Sequence, residues 1–113
     1  MLERVITQSP GDAVAANVAA ARARRRLGQE DVAARMRALG YSKWVRQTVG
    51  DIETGRRRLL AEEVFALAAA LKTAVTLLVG AVETDELVLP SGVTLEAAQM
   101  AEWDGNTPKF PES

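Results

Sequence analysis

The sequence predicts an all-α fold: a compact five-helix domain followed by a short C-terminal extension made of an extended segment and a short helix. Three observations predict it. The 113 residues are 48% apolar and 26% charged, the balance of an ordinary globular chain with room for one domain and a modest appendage. Alanine, leucine and valine supply nearly all the apolar side chains, because only Tyr41, Trp44, Phe65, Trp103 and Phe110 are aromatic, and so much alanine favours closely packed helices. Apolar residues also recur at helical spacing between glycine-containing breaks.

The elements follow in order. Ser9-Pro10-Gly11-Asp12 is a turn cluster, with Asp12 as N-cap of a helix that runs to about Arg26 on the marks Val14, Val18 and Ala21. Leu27-Gly28 ends it, the glycine standing just past the helix. A second helix opens at Gln29 or Glu30, carries acids in its first turn and buries Val32, Ala33, Met36 and Leu39. Gly40-Tyr41-Ser42 breaks the pattern. A third helix starts between Ser42 and Arg46 and ends at Gly55, with Val45, Val49 and Ile52 facing inward. The fourth spans Ala61 to Leu71 on the stripe Val64, Leu67, Ala68 and Leu71, and the fifth takes Ala74 to about Val79. Residues 86–94 alternate weakly around Pro90-Ser91-Gly92, which indicates an extended segment or hairpin, and Leu95 to Trp103 then reads as a last amphipathic turn or two. The organisation expected is an N-terminal arm over 1–12, the helical domain over 13–82 and an acidic extension over 83–113.

Composition removes several function classes. The chain has no cysteine or histidine, hence no usual zinc ligand, thiol nucleophile or near-neutral proton carrier. No catalytic constellation, cofactor motif or metal site is legible, and the chain does not read as an enzyme. Val64 to Val82 is apolar enough to suggest a membrane span, but Lys72 near its centre would cost about 2.5 to 3.5 kcal/mol there. The N-terminus lacks the basic patch and apolar core of a secretory signal, so a cytoplasmic protein that avoids membranes is expected.

Charge is segregated along the chain. Residues 17–60 carry eleven basic side chains against four acidic ones, whereas 61–113 carry two against nine. Arginine outnumbers lysine ten to one in the basic block, a choice that favours bidentate contacts to phosphate or guanine. Such a block suits a phosphate-binding surface. It equally suits a solvated face neutralised by the acidic tail, and charge alone does not separate the two.

The motifs are more specific. Arg22-Ala23-Arg24-Arg25-Arg26-Leu27-Gly28-Gln29-Glu30-Asp31-Val32-Ala33, then Thr48-Val49-Gly50-Asp51-Ile52-Glu53-Thr54-Gly55-Arg56-Arg57, then Leu67-Ala68-Ala69-Ala70-Leu71 resemble the Xre-type family of Cro and phage-repressor-like helix-turn-helix domains. The resemblance spans roughly residues 17–79, and the Ala-Leu-Gly turn before Arg-Gln-Thr-Val is similar to a subset common in actinobacteria. It implies a repressor-like helix-turn-helix domain, a transcriptional regulator that binds double-stranded DNA with its third helix in the major groove, as a homodimer.

The resemblance also implies roles. Gln29 matches a phosphate-contacting glutamine at the start of the second helix, where free N–H groups would welcome an anion; capping its own helix is the plainer role. Arg46 and Gln47 match the positions that reach base edges, and Thr48 and Asp51 further groove-facing positions. Asp51 has two readings, accepting from cytosine or orienting Arg46 or Gln47. Arg56 and Arg57 match residues that hold the DNA backbone, while a solvated run over Arg56 to Arg58 is the alternative. Lys43 and Trp44 precede the recognition helix; Trp44 either packs under the turn as core or lies against sugar and phosphate. Arg24 to Arg26 read as a solvated helix face. Arg22 and Glu53 match a buried salt bridge between the first and third helices, so a change at Arg22 would be a folding defect.

Two departures from the family pattern stand out. Gln29 and Glu53 are further apart than in the shortest phage-repressor domains, which lengthens the second helix or the turn and bears on the reach of Lys43 and Trp44. Gly50 lies inside the recognition helix at a cost of roughly 1 kcal/mol relative to alanine, which points either to close approach or to a helix ordered on DNA. The acidic segment offers Leu87, Val88, Leu89 and Trp103 as apolar anchors for pairing or for a protein partner. An antitoxin-like protein-binding module is therefore the competing class.

Overall fold

Pro10 opens the first helix, α1 (Pro10–Arg24), ahead of the Asp12 expected to cap it. Proline suits the first helical position because the N–H it lacks would be unsatisfied there. Asp12 thus falls in the first turn, where its carboxylate meets the positive end of the helix dipole. In this computed structural model, which describes residues 7–80 and 86–96, four more helices follow: α2 (Gln29–Ala38), α3 (Arg46–Glu53), α4 (Ala61–Leu71) and α5 (Val75–Val79). The domain is mostly α, as its composition and spacing predict.

The helix starts share an economy that the N-cap residues themselves do not reveal. Gly28, Val45 and Leu60 precede α2, α3 and α4, and none carries a side-chain oxygen. Instead the third helical residue reaches back: Asp31 Oδ2 accepts from the Gly28 N–H at 2.7 Å, Thr48 Oγ1 from Val45 at 3.1 Å and Glu63 Oε1 from Leu60 at 2.8 Å. Each bond satisfies a donor outside the helical ladder.

The ends are equally regular. At the end of α1, Leu27 N–H donates to the Arg22 carbonyl and Arg26 N–H to that of Ala23, with Arg26 at φ 55°. This Schellman closure puts Arg26, rather than Gly28, in the left-handed position and leaves Gly28 to precede α2. Gly55 closes α3 at φ 78°, and a Cβ there would stand 3.1 Å from Asp12 Oδ1. Both the backbone conformation and the close approach call for glycine.

The core is aliphatic. Val18, Val32, Met36, Val49, Leu67, Leu71 and Leu78 are essentially inaccessible, and α2 packs against both α3 and α4. Asn17 Nδ2 donates to the Leu78 carbonyl at 2.9 Å, tying α1 to α5. Leu39 departs from expectation: it follows the last residue of α2 and is 49% exposed, because the chain has left the helical stripe by that point. Glu63 departs in the other direction, buried on a helix whose interior face reads as purely apolar. Lys72 takes a left-handed conformation between α4 and α5, and among the described residues no helix is long and apolar enough to cross a membrane.

The chain divides into two units, Gly11–Ala81 and a second that joins Met1–Pro10 to Val82–Ser113. In the second unit β1 (Thr7–Gln8) pairs in parallel with β2 (Glu86–Val88), which pairs antiparallel with β3 (Thr94–Glu96). The hairpin is closed by Leu89 N–H to the Val93 carbonyl at 2.9 Å. The hairpin at 86–94 was expected; β1 was not, since two residues carry no periodicity. Leu95 and Glu96, expected to begin a helix, lie in β3 with Leu95 opposite Leu87. The rest of that predicted helix, including Trp103, lies outside the described residues.

Leu87 is itself buried, 6% exposed, so it is not the exposed anchor expected for a partner. Val88 and Leu89 are half-buried.

Candidate nucleic-acid interface

The third helix has two unlike faces because its apolar residues are few and evenly spaced. Val49 and Ile52 are 1% and 2% exposed and hold α3 to the core, while Arg46 and Gln47 in its first turn are exposed. Thr48 is half-buried, its hydroxyl oxygen engaged by the Val45 N–H. Asp51 is half-buried too, and Gln47 Nε2 donates to its Oδ1 at 2.9 Å. No acid stands in the first turn of α3, whereas α2 and α4 each carry two carboxylates there. Its own side chains therefore leave the positive end of the α3 dipole uncompensated.

A polar network fixes this helix at its far end. Arg22 Nε and Nη2 donate to Glu53 Oε2 and Oε1 at 2.6 and 3.0 Å, and Arg22 Nη1 donates to the Leu27 carbonyl at 2.9 Å. Gln29 Nε2 adds a third donor to Glu53 Oε1 at 3.1 Å. One carboxylate thus joins α1, α2 and α3. The fork geometry of arginine suits it, and the pair lies mostly out of water, with side chains 24% and 8% exposed.

This network gives Gln29 a structural role within the fold. One N–H of its amide goes to Glu53, and the neighbouring Gly28 N–H is taken by the Asp31 carboxylate. The carboxylates of Glu30 and Asp31 in the first turn of α2 oppose an anion approaching there. The Gln29 amide also lies 3.6 Å from where a Cβ of residue 50 would stand, an ordinary contact distance that leaves room for a methyl group.

Trp44 takes the core position, one of the two open from sequence, while Arg57 departs from the DNA-backbone contact expected of it. Trp44 is 4% exposed and belongs to the core, edge-on to Tyr41 with ring centroids 6.1 Å apart. A ring so buried offers no surface to a sugar or phosphate. Arg57 lies over that ring at 5.1 Å and donates from Nη1 and Nη2 to the two oxygens of Glu63 at 3.0 and 2.8 Å. It is the partner of a buried acid and not a free backbone clamp. The Arg57 hydrogen bonds hold the Glu63 carboxyl below the usual carboxylate range against the opposing effect of burial, with help from the Leu60 N–H and the Trp44 side chain.

The basic block accordingly divides in two. Arg25 donates to the Leu71 carbonyl at 3.2 Å and to that of Lys72, and Arg35 to that of Ala70 at 2.7 Å, so both engage the negative end of α4. Arg37 bridges the Trp44 carbonyl at 2.8 Å and Glu30 at 2.6 Å, holding the segment that leads into α3. Arg24, Arg26, Lys43, Arg46, Arg56 and Arg58 remain exposed, and their charged ends form no ion pair among the described residues.

No family model matches the chain, and neither the curated proteins nor the solved structures searched contain a match.

The arrangement offers charge and hydrogen bonds. Among the described residues no group of acids could hold a metal ion. The surface around α3 has exposed cations before it at Lys43, on it at Arg46, and after it at Arg56 and Arg58, with an amide at Gln47 between them. Arg58 was expected only as part of a solvated run. What separates it from Arg57 is the reach of Glu63, which the residue type does not disclose.

Proposed function

We propose that this protein is a sequence-specific DNA-binding transcriptional regulator of the Xre-type helix-turn-helix kind, not an enzyme, acting in the cytoplasm as a homodimer. One observation carries the proposal: Arg46 and Gln47 stand exposed at the start of a helix whose opposite side is buried through Val49 and Ile52. A helix held in this way can enter a major groove with its first turn leading, Arg46 forking onto guanine and Gln47 onto adenine.

The exposed cations Lys43, Arg56 and Arg58 supply phosphate contacts that set register without reading sequence. Pairing follows from the shortness of the reading surface. One eight-residue helix presents too few base-reading side chains for a specific site, and two copies on half-sites about one DNA turn apart double the readout.

The test is selection of genomic fragments by the purified protein at two salt concentrations. A small set of fragments retained at the higher salt is expected, and Arg46→Ala with Gln47→Ala should abolish that selection while leaving weak, salt-sensitive binding. Unchanged affinity of the double variant for every retained fragment would refute the assignment.

A further inference from the structure

Gln47 and Asp51 lie one helical turn apart on the outward side of α3, joined by the 2.9 Å bond from Gln47 Nε2 to Asp51 Oδ1. We infer that Asp51 is a specificity-determining positioning residue, which holds the Gln47 amide in the orientation that accepts adenine and rejects guanine. The inference rests on the DNA-binding reading above and adds to it the residue that sets the choice of base at Gln47.

The chemistry of the pair fixes the orientation. An ionised carboxylate only accepts hydrogen bonds, so the amide must turn its nitrogen, not its oxygen, toward Asp51. The choice between the two amide flips is therefore settled by the partner. Asp51 forms no ion pair among the described residues, and neither Arg46 nor another cation draws the carboxylate away from Gln47.

What remains free on Gln47 is one N–H and the Oε1 lone pairs, a donor and an acceptor side by side. Adenine presents the complement in the major groove, an N7 acceptor beside an N6 donor. Guanine presents two acceptors, N7 and O6. An untethered glutamine could meet both with the two hydrogens of its NH₂ group, but here one of them belongs to Asp51. Oε1 would then face an acceptor. The tether thus acts mainly against guanine.

The experiment uses the full chain and a library of operators derived from the retained fragments, randomised across one half-site. Wild type, Gln47→Ala, Asp51→Ala and Asp51→Asn are compared by sequencing what each binds. Wild type should prefer adenine over guanine by about tenfold at one position, within the range of a bidentate base contact, and Gln47→Ala should lose that preference. Asp51→Ala should reduce it to about twofold at that position alone, with the other positions unchanged as an internal check on folding. Asp51→Asn should fall between, since its amide can either accept from Gln47 Nε2 or donate to Oε1. An adenine preference that survives Asp51→Ala overturns the inference, as does loss of a cytosine preference in its place, which would make Asp51 a base reader itself. If wild type selects no operator at all, the DNA-binding reading fails first and takes this inference with it.

Discussion

Glu63 is 3% exposed, yet its carboxyl is held in the ionised form by Arg57 above all, then by the Leu60 N–H and Trp44. Because its pKa in the folded protein lies below the unfolded value, its contribution is complete above the unfolded pKa and is lost as the pH falls through the folded one. The melting temperature should therefore drop on acidification below about pH 4.5, the ordinary carboxyl range, and Glu63→Gln should flatten that dependence. At neutral pH the same variant should cost about 2 to 3 kcal/mol, less than a fully buried pair because Arg57 is partly solvated. Arg22→Ala should cost about 3 kcal/mol by leaving Glu53 poorly paired on the protein interior, and thermal melts should show it. Arg46→Ala, by contrast, should leave the melt unchanged. The Arg22–Glu53 pair was legible through the family resemblance. The Arg57–Glu63 pair was not, because it spans a bend between helices where no periodic spacing links the partners.

At the level of elements, α3 shows most clearly how a local rule and a tertiary contact compete. Glycine within a helix is a cost, and at Gly50 the added Cβ would meet only the Gln29 amide at 3.6 Å, an ordinary contact distance. Gly50→Ala should therefore stabilise the protein by up to about 1 kcal/mol, read from denaturant titration. A destabilised variant would mean that Gln29 had been displaced and its bond to Glu53 broken. The helices themselves were legible: α2 and α4 begin where sequence places them, since the apolar stripe repeats every turn. Their starts were harder to explain from sequence, because the side chain that closes each is three residues inside the helix and not at its boundary.

Across the whole molecule, the excess of arginine in residues 17–60 serves two purposes that no count of charge can separate. Arg22, Arg25, Arg35, Arg37 and Arg57 are bound within the fold, and Arg24, Arg26, Lys43, Arg46, Arg56 and Arg58 are not. The consecutive residues Arg56, Arg57 and Arg58 make the contrast measurable. Arg56→Ala and Arg58→Ala should each lower the slope of log affinity against log salt by about one without altering the melting temperature. Arg57→Ala should lower the melting temperature, because it leaves Glu63 buried without its cation.

By itself the sequence determined the mostly helical architecture, the order of its five helices and most of each inward face, although Val45, expected to face inward on α3, is its N-cap and 51% exposed. These follow from spacing over a few residues, where backbone geometry alone relates position to direction. The tertiary structure decided which cations stay free, that Trp44 is core, that Gln29 belongs to Glu53, and that Thr7 and Gln8 form a strand beside β2. Each depends on which groups come within hydrogen-bond reach after distant segments pack, across separations such as 31 residues for Arg22 and Glu53 or 46 for Arg25 and Leu71. Local pattern does not encode such distances.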